Sequence, residues 1–222
     1  RQNITRMVFY PDQKIAFNRI GKSGNSSVVL YLREAIEGME SKAGDYRQGK
    51  RSAISLGKEM IEISREWTAI STLYHYSFFT VVRNPWTRTL SAFLDKIANG
   101  PDCKYGTVPG FGINSREGFE AFVSFLSKGG LHSNHHWKPQ EDALLLPPSR
   151  FQSICRLENL AEELPPALAA MGLTVPDPEH LRHPHNIESH QQGKLTHAEK
   201  RLATYYTLSL IHISEPTRPT LI

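Results

Sequence analysis

Lys22 lies in a run of residues suited to holding phosphate. The stretch Asn18-Arg19-Ile20-Gly21-Lys22-Ser23-Gly24-Asn25-Ser26-Ser27 carries two glycines, one lysine and three serines. Ile15 and Phe17 alternate ahead of it. Val28, Val29, Leu32 and Ile36 follow at helical spacing. A strand, a loop of small residues and a helix are thus expected. Backbone N–H groups and the positive end of the helix converge on an anion in such an arrangement. Ala16-x-x-x-x-Gly21-Lys22-Ser23 is a loosened Walker A pattern, so a P-loop kinase or NTPase is one reading. That reading needs an acid at the end of a neighbouring apolar strand to hold Mg²⁺. The run Phe78 to Val82 ends in Arg83 instead, and a guanidinium there suits a second phosphate. Ser91 follows eight residues later, about two turns into the next helix. Taken together, these features point to a nucleotide phosphorylated at two places.

Alternating elements must position these side chains. A short apolar piece, Met7 to Tyr10, lies within a polar lead-in, and the first helix should fade near Gly38. Residues 38–66 read as a charged surface excursion with some helix near Lys58 to Arg65. Phe78 to Val82 suits a buried parallel strand, and Asn84 with Pro85 should cap a helix from Trp86 to Ala98. A helix should start at Ser115-Arg116 and end at Gly129-Gly130. A third strand is expected over Arg150 to Leu157, then a helix from Leu160 to Met171. Pro176 to Gln192 reads as a histidine-bearing loop whose spacing fits no tight metal site. A last helix should begin near Thr196, whose capping box pairs it with Glu199. The fold class expected is α/β, a P-loop-like three-layer sandwich with a central, mostly parallel sheet flanked by helices. One domain is expected over 1–208, with 209–222 a non-native or disordered tail.

Composition narrows the partners. The 222 residues have a formal charge of +4 and ten histidines, a mild basic excess that suits an anionic ligand and does not argue for nucleic acid. No apolar run reaches membrane-spanning length. The spacing of Cys103 and Cys155 makes neither a disulfide framework nor a metal site, and their pairing stays open. Asn3-Ile4-Thr5 fits the acceptor pattern of a glycoprotein, although such triplets are frequent by chance.

These motifs resemble those of the 3′-phosphoadenosine-5′-phosphosulfate-dependent sulfotransferases, in particular the carbohydrate (Golgi-type) sulfotransferase family. Asn18 to Ser27 is similar to that family's 5′-phosphosulfate loop. Val82-Arg83-Asn84-Pro85-Trp86-Thr87-Arg88-Thr89-Leu90-Ser91 is similar to its 3′-phosphate motif. His136-Trp137-Lys138-Pro139-Gln140 and Arg156-Leu157-Glu158-Asn159-Leu160 resemble two further segments, and all four occur in family order. Gly21 stands where many members have proline. Ala143 to Pro147 replaces a cysteine-rich stretch of some members, and no aspartate follows Tyr205-Tyr206 in a Tyr-x-x-Asp pattern.

The resemblance implies in-line transfer of a sulfuryl group from 3′-phosphoadenosine-5′-phosphosulfate to a glycan hydroxyl, without a metal. Arg19, Lys22, Ser23, Gly24, Asn25, Ser26 and Ser27 would hold the 5′ side of this co-substrate, and Arg83 and Ser91 its 3′-phosphate. Lys22 and His136 would be catalytic, His136 as general base, with His135, His75 and Glu158 as alternatives. The acceptor would be a glycan or other hydroxyl-bearing molecule, including an anionic polysaccharide that could meet Arg47, Lys50 and Arg51. Besides the kinase, a non-catalytic glycan-binding relative is the other alternative. The implied location is the Golgi lumen for a eukaryotic chain, membrane-held only through an anchor outside these residues, and the cytoplasm for a bacterial one.

Overall fold

The computed structural model describes residues 5–38, 60–63, 74–99 and 103–182. Five strands form one sheet in the order β3-β1-β2-β4-β5. They are β1 (Thr5–Tyr10), β2 (Ile15–Arg19), β3 (Met60–Ile63), β4 (Ser77–Val82) and β5 (Ser153–Arg156). β2, β4 and β5 run parallel, whereas β1 pairs antiparallel with both β2 and β3. The α/β expectation holds, with an antiparallel margin beside the parallel strands. One addition and one correction lie in that margin. The apolar piece Met7 to Tyr10 belongs to strand β1. Within the helix expected near Lys58 to Arg65, Met60–Ile63 is a strand, its two isoleucines suiting extended backbone better than helix.

Successive residues of each strand supply opposite faces of the sheet. Val8, Ile15, Phe17, Phe79, Val81 and Cys155 pack with α1 (Asn25–Glu37) and a later helix over Leu160–Ala170. Met7, Phe9, Ala16 and Phe78 face Leu146 and Phe151 on the other side. Phe17 and Phe79 occupy paired register positions and stack with centroids 4.9 Å apart. Gly38 ends α1 in the left-handed region at φ 64°, its N–H donating to the Glu34 carbonyl. The strand expected from Arg150 is shorter, because Pro148–Arg150 and Leu157–Asn159 form tight helical turns around it.

Residues 84–139 form a compact group with its own core, distinct from the group made by residues up to 83 together with 140–186. It holds α2 (Pro85–Ala92), continued as a wider π-helical segment over Phe93–Ala98, and α3 (Arg116–Ser127). Asn84 caps α2 by accepting from the N–H groups of Trp86 and Thr87, at 3.0 and 3.4 Å. Phe93, Phe119, Phe122, Tyr105 and Trp137 fill the core. In the first group, α4 (Leu160–Ala170) precedes the short helix α5 (Glu179–Arg182). The loop expected from Pro176 is thus helical over α5, and its His180 Nδ1 lies 3.0 Å from Glu34 Oε2 of α1. Among the described residues, no helix is long and apolar enough to cross a membrane. The expected helix near Thr196, the tail 209–222, Asn3 and the cations Arg47, Lys50 and Arg51 lie outside them.

Candidate active site

Parallel pairing brings the carboxyl ends of β2, β4 and β5 to one edge, the edge where open α/β sheets bind ligands. The loop after β2 reaches α1 in five residues, Ile20 to Gly24. Such a tight path demands unusual backbone: Lys22 has φ 68° and Gly24 φ 72°. Holding a lysine there costs about 1 kcal/mol or more. The Ser23 N–H donates to the Ile20 carbonyl at 3.3 Å, and Asn25 Nδ2 donates to the same carbonyl at 2.9 Å. Gly24 caps α1, whose first turn contains no acidic side chain. A Cβ at Gly24 would collide with Leu157 Cδ1 from the turn after β5. Ser23 and Ser27 are buried, whereas Arg19, Lys22, Gly24, Asn25 and Ser26 are half-buried.

Arg83 follows β4 at the same edge. Its Nη1 donates to the Lys22 carbonyl at 3.3 Å, so the guanidinium reaches the loop itself. Burial pulls the guanidinium below its ordinary range, and the nearby Glu158 carboxylate acts in the opposite sense. Arginine stays protonated under either influence. The Gln140 side chain grips the Arg83 backbone on both sides, accepting from its N–H at 2.9 Å and donating to its carbonyl at 2.8 Å. Ser23 Oγ donates to the same Gln140 Oε1 at 3.4 Å. Buried Asn18 secures the chain beyond, donating to the Ala143 carbonyl at 3.0 Å and accepting from the Leu145 N–H at 2.9 Å.

Ser91 and His136 belong to the 84–139 group. Ser91 is half-buried on α2. His136 is half-buried, and its backbone N–H donates to Asn134 Oδ1 at 3.0 Å. Its ring lies 4.0 Å from the His135 ring and 6.5 Å from Tyr105, centroid to centroid. Trp137 is buried, and its Nε1 donates to the Gly130 carbonyl at 3.0 Å. Buried Arg88 donates to the carbonyls of Lys138 at 2.9 Å and His135 at 3.4 Å, so it shapes the segment that carries His136. His75 is exposed before the amino end of β4. A six-residue strand separates it from Arg83, about 20 Å of extended chain. That distance removes it as the base, whereas Glu158 stands at the carboxyl edge near Arg83.

A family model described as "Sulfotransferase family" matches residues 5–213. The chain belongs to the sulfotransferase family. No curated protein and no solved structure shows a significant match to it. In this sulfotransferase, sulfuryl transfer is the reaction the family implies. Its Lys22 loop and Arg83 are joined directly by the hydrogen bond from the guanidinium to the Lys22 carbonyl. Gln140, Arg88 and Asn18 make the contacts that sequence reasoning left without a role. Gln140 and Arg88 lie inside the quoted motifs, so their positions were a signal. Asn18 opens the quoted loop motif, and a polar residue within an apolar strand was its further signal. Among the described residues, no group of three or more His, Cys, Asp and Glu side chains is placed to hold a metal. Cys155 is a free, buried thiol.

Proposed function

We propose that this sulfotransferase moves a sulfuryl group from 3′-phosphoadenosine-5′-phosphosulfate to a carbohydrate hydroxyl. One observation carries the reading: Arg83 follows β4, the strand next to β2, and reaches the lysine-bearing loop. A magnesium-dependent P-loop enzyme would favour a carboxylate at that strand end. The residues fit a doubly phosphorylated nucleotide, with a helix start free of acids, a lysine and a half-buried guanidinium.

When bound, the co-substrate supplies the activated sulfuryl group. Arg19, Lys22 and the segment Ser23 to Ser27 are assigned to its 5′ side, and Arg83 and Ser91 to its 3′-phosphate. As the bond from sulfur to the bridging oxygen breaks, the Lys22 ammonium neutralises charge on that oxygen, which leaves with adenosine 3′,5′-bisphosphate. His136 takes the proton of the acceptor hydroxyl as its oxygen bonds to sulfur. His135 and Glu158 are the competing bases. The motif resemblance and the mild basic balance support a glycan acceptor, anionic polysaccharide included. A glycan acceptor favours the Golgi lumen in a eukaryotic cell, and the cytoplasm remains the proposal for a bacterial chain.

Calorimetry with adenosine 3′,5′-bisphosphate against ATP–Mg²⁺ tests the donor. Metal-independent binding of the bisphosphate is expected, and preference for ATP–Mg²⁺ would overturn the reading. A glycan panel then tests the acceptor, with sulfation of a hydroxyl as the readout.

A further inference from the structure

Arg83 lies one residue beyond β4, where the sheet no longer pairs its peptide groups. A backbone N–H and carbonyl at such a place need partners from elsewhere. The Gln140 carboxamide supplies both, at 2.9 and 2.8 Å, in the manner of a peptide group from a neighbouring strand. A primary amide places an acceptor and a donor side by side, in the spacing of a peptide group's own N–H and carbonyl partners. Only one orientation of that amide satisfies both Arg83 groups. The same Oε1 also receives the Ser23 hydroxyl at 3.4 Å. The Arg83 guanidinium closes the circuit on the Lys22 carbonyl at 3.3 Å. Hydrogen bonds thus join Gln140 to Arg83, Arg83 to Lys22 and Ser23 to Gln140, the Lys22–Ser23 peptide bond completes the ring, and Gln140 is the member that grips main chain on one side and the loop on the other.

We infer that Gln140 is a positioning residue that sets the Arg83 guanidinium against the Lys22 loop and thereby fixes selectivity for a nucleotide carrying a second phosphate. This rests on the donor reading above. Its mark is a change in discrimination between two ligands, which a general loss of stability would not produce. The quantity to measure is the ratio of the Kd for adenosine 5′-phosphate to the Kd for adenosine 3′,5′-bisphosphate, by calorimetry.

Gln140→Met keeps length and neutrality and removes the amide. It should cut that ratio about tenfold, the effect expected of two lost neutral hydrogen bonds. Amide hydrogen exchange at Arg83 should quicken in the ligand-free variant. Arg83→Ala should lose the ratio as well, and adding Gln140→Met to it should cost nothing more. Should Gln140→Met fail to fold, Gln140→Ala, which removes the amide without adding charge, is read in the same way. A wild-type protein with no preference for the bisphosphate overturns the donor reading. A wild-type preference that the Gln140 variants leave intact, or a full additional loss in the double variant, overturns this inference alone.

Discussion

Two arginines five residues apart in one motif have different surroundings. Arg83 is half-buried at the carboxyl edge of the sheet, close to Glu158 and bonded to a loop carbonyl. Arg88 is 3% exposed and donates to two carbonyls of the segment that carries His136. The first guanidinium is placed where it can meet an anion. The second replaces secondary structure as the partner of backbone groups in the 135–138 turn. The same residue type is proposed for recognition in one group of residues and supplies architecture in the other. What separates the two roles is access to solvent.

Substituting the two arginines tests that difference most directly. Arg88→Ala strips donors from buried carbonyls and should cost about 3 kcal/mol of stability. A denaturant titration would show it, together with faster hydrogen exchange over 130–139. Arg83→Ala should leave stability within about 1 kcal/mol, because Gln140 holds its main chain and not its side chain, yet weaken bisphosphate binding about tenfold to a hundredfold. Equal destabilisation by both variants would erase the distinction.

Gly24→Ala sharpens the loop side of the comparison. Its φ of 72° and the Leu157 methyl leave no place for a Cβ. A stability loss of about 1–3 kcal/mol is expected, with weaker bisphosphate binding, by thermal melting and calorimetry. Leu157→Ala in the same chain should recover part of the steric loss and none of the backbone strain.

An alkaline titration probes the sheet core beneath the site. Burial pushes the Cys155 thiol up to about 12. The folded state therefore holds this proton more tightly than the unfolded chain, whose thiol titrates near about 8.5. The stabilisation is complete below that pH and is lost as pH rises through 12. Tyr31, also raised to about 12 by burial, acts in the same direction. The denaturation midpoint should fall between pH 9 and pH 11 by about that rule, and Cys155→Ala should flatten the slope. The smallest effect belongs to the exposed pair of Arg116 and Glu120 on α3, 2.8 Å apart. Glu120→Gln should change stability by less than about 0.5 kcal/mol and be insensitive to ligand, as double-mutant cycles would show.

Much of the scaffold was legible because its signals are local. Alternation in Ile15 to Phe17, the apolar run before Arg83, and the Asn84-Pro85 cap each act within a few residues. The antiparallel margin was not legible. Met60–Ile63 is too short for its period to distinguish strand from helix, and its pairing with β1 is a long-range event. His180 also read as part of a loop, and its approach to Glu34 comes from packing between residues 146 positions apart.

By itself, the sequence determined the α/β class, the lysine loop between a strand and a helix, and the cation at the end of the next strand. It also carried the motif order that marks the sulfotransferase family. Tertiary structure decided which polar side chains hold the frame around the lysine loop. Gln140 meets Arg83 across 57 residues, and Asn18 meets the 143–145 segment across 125 and 127. Hydrogen bonds of that kind depend on where the folded chain returns. Periodicity and motif spacing describe only what lies close along it.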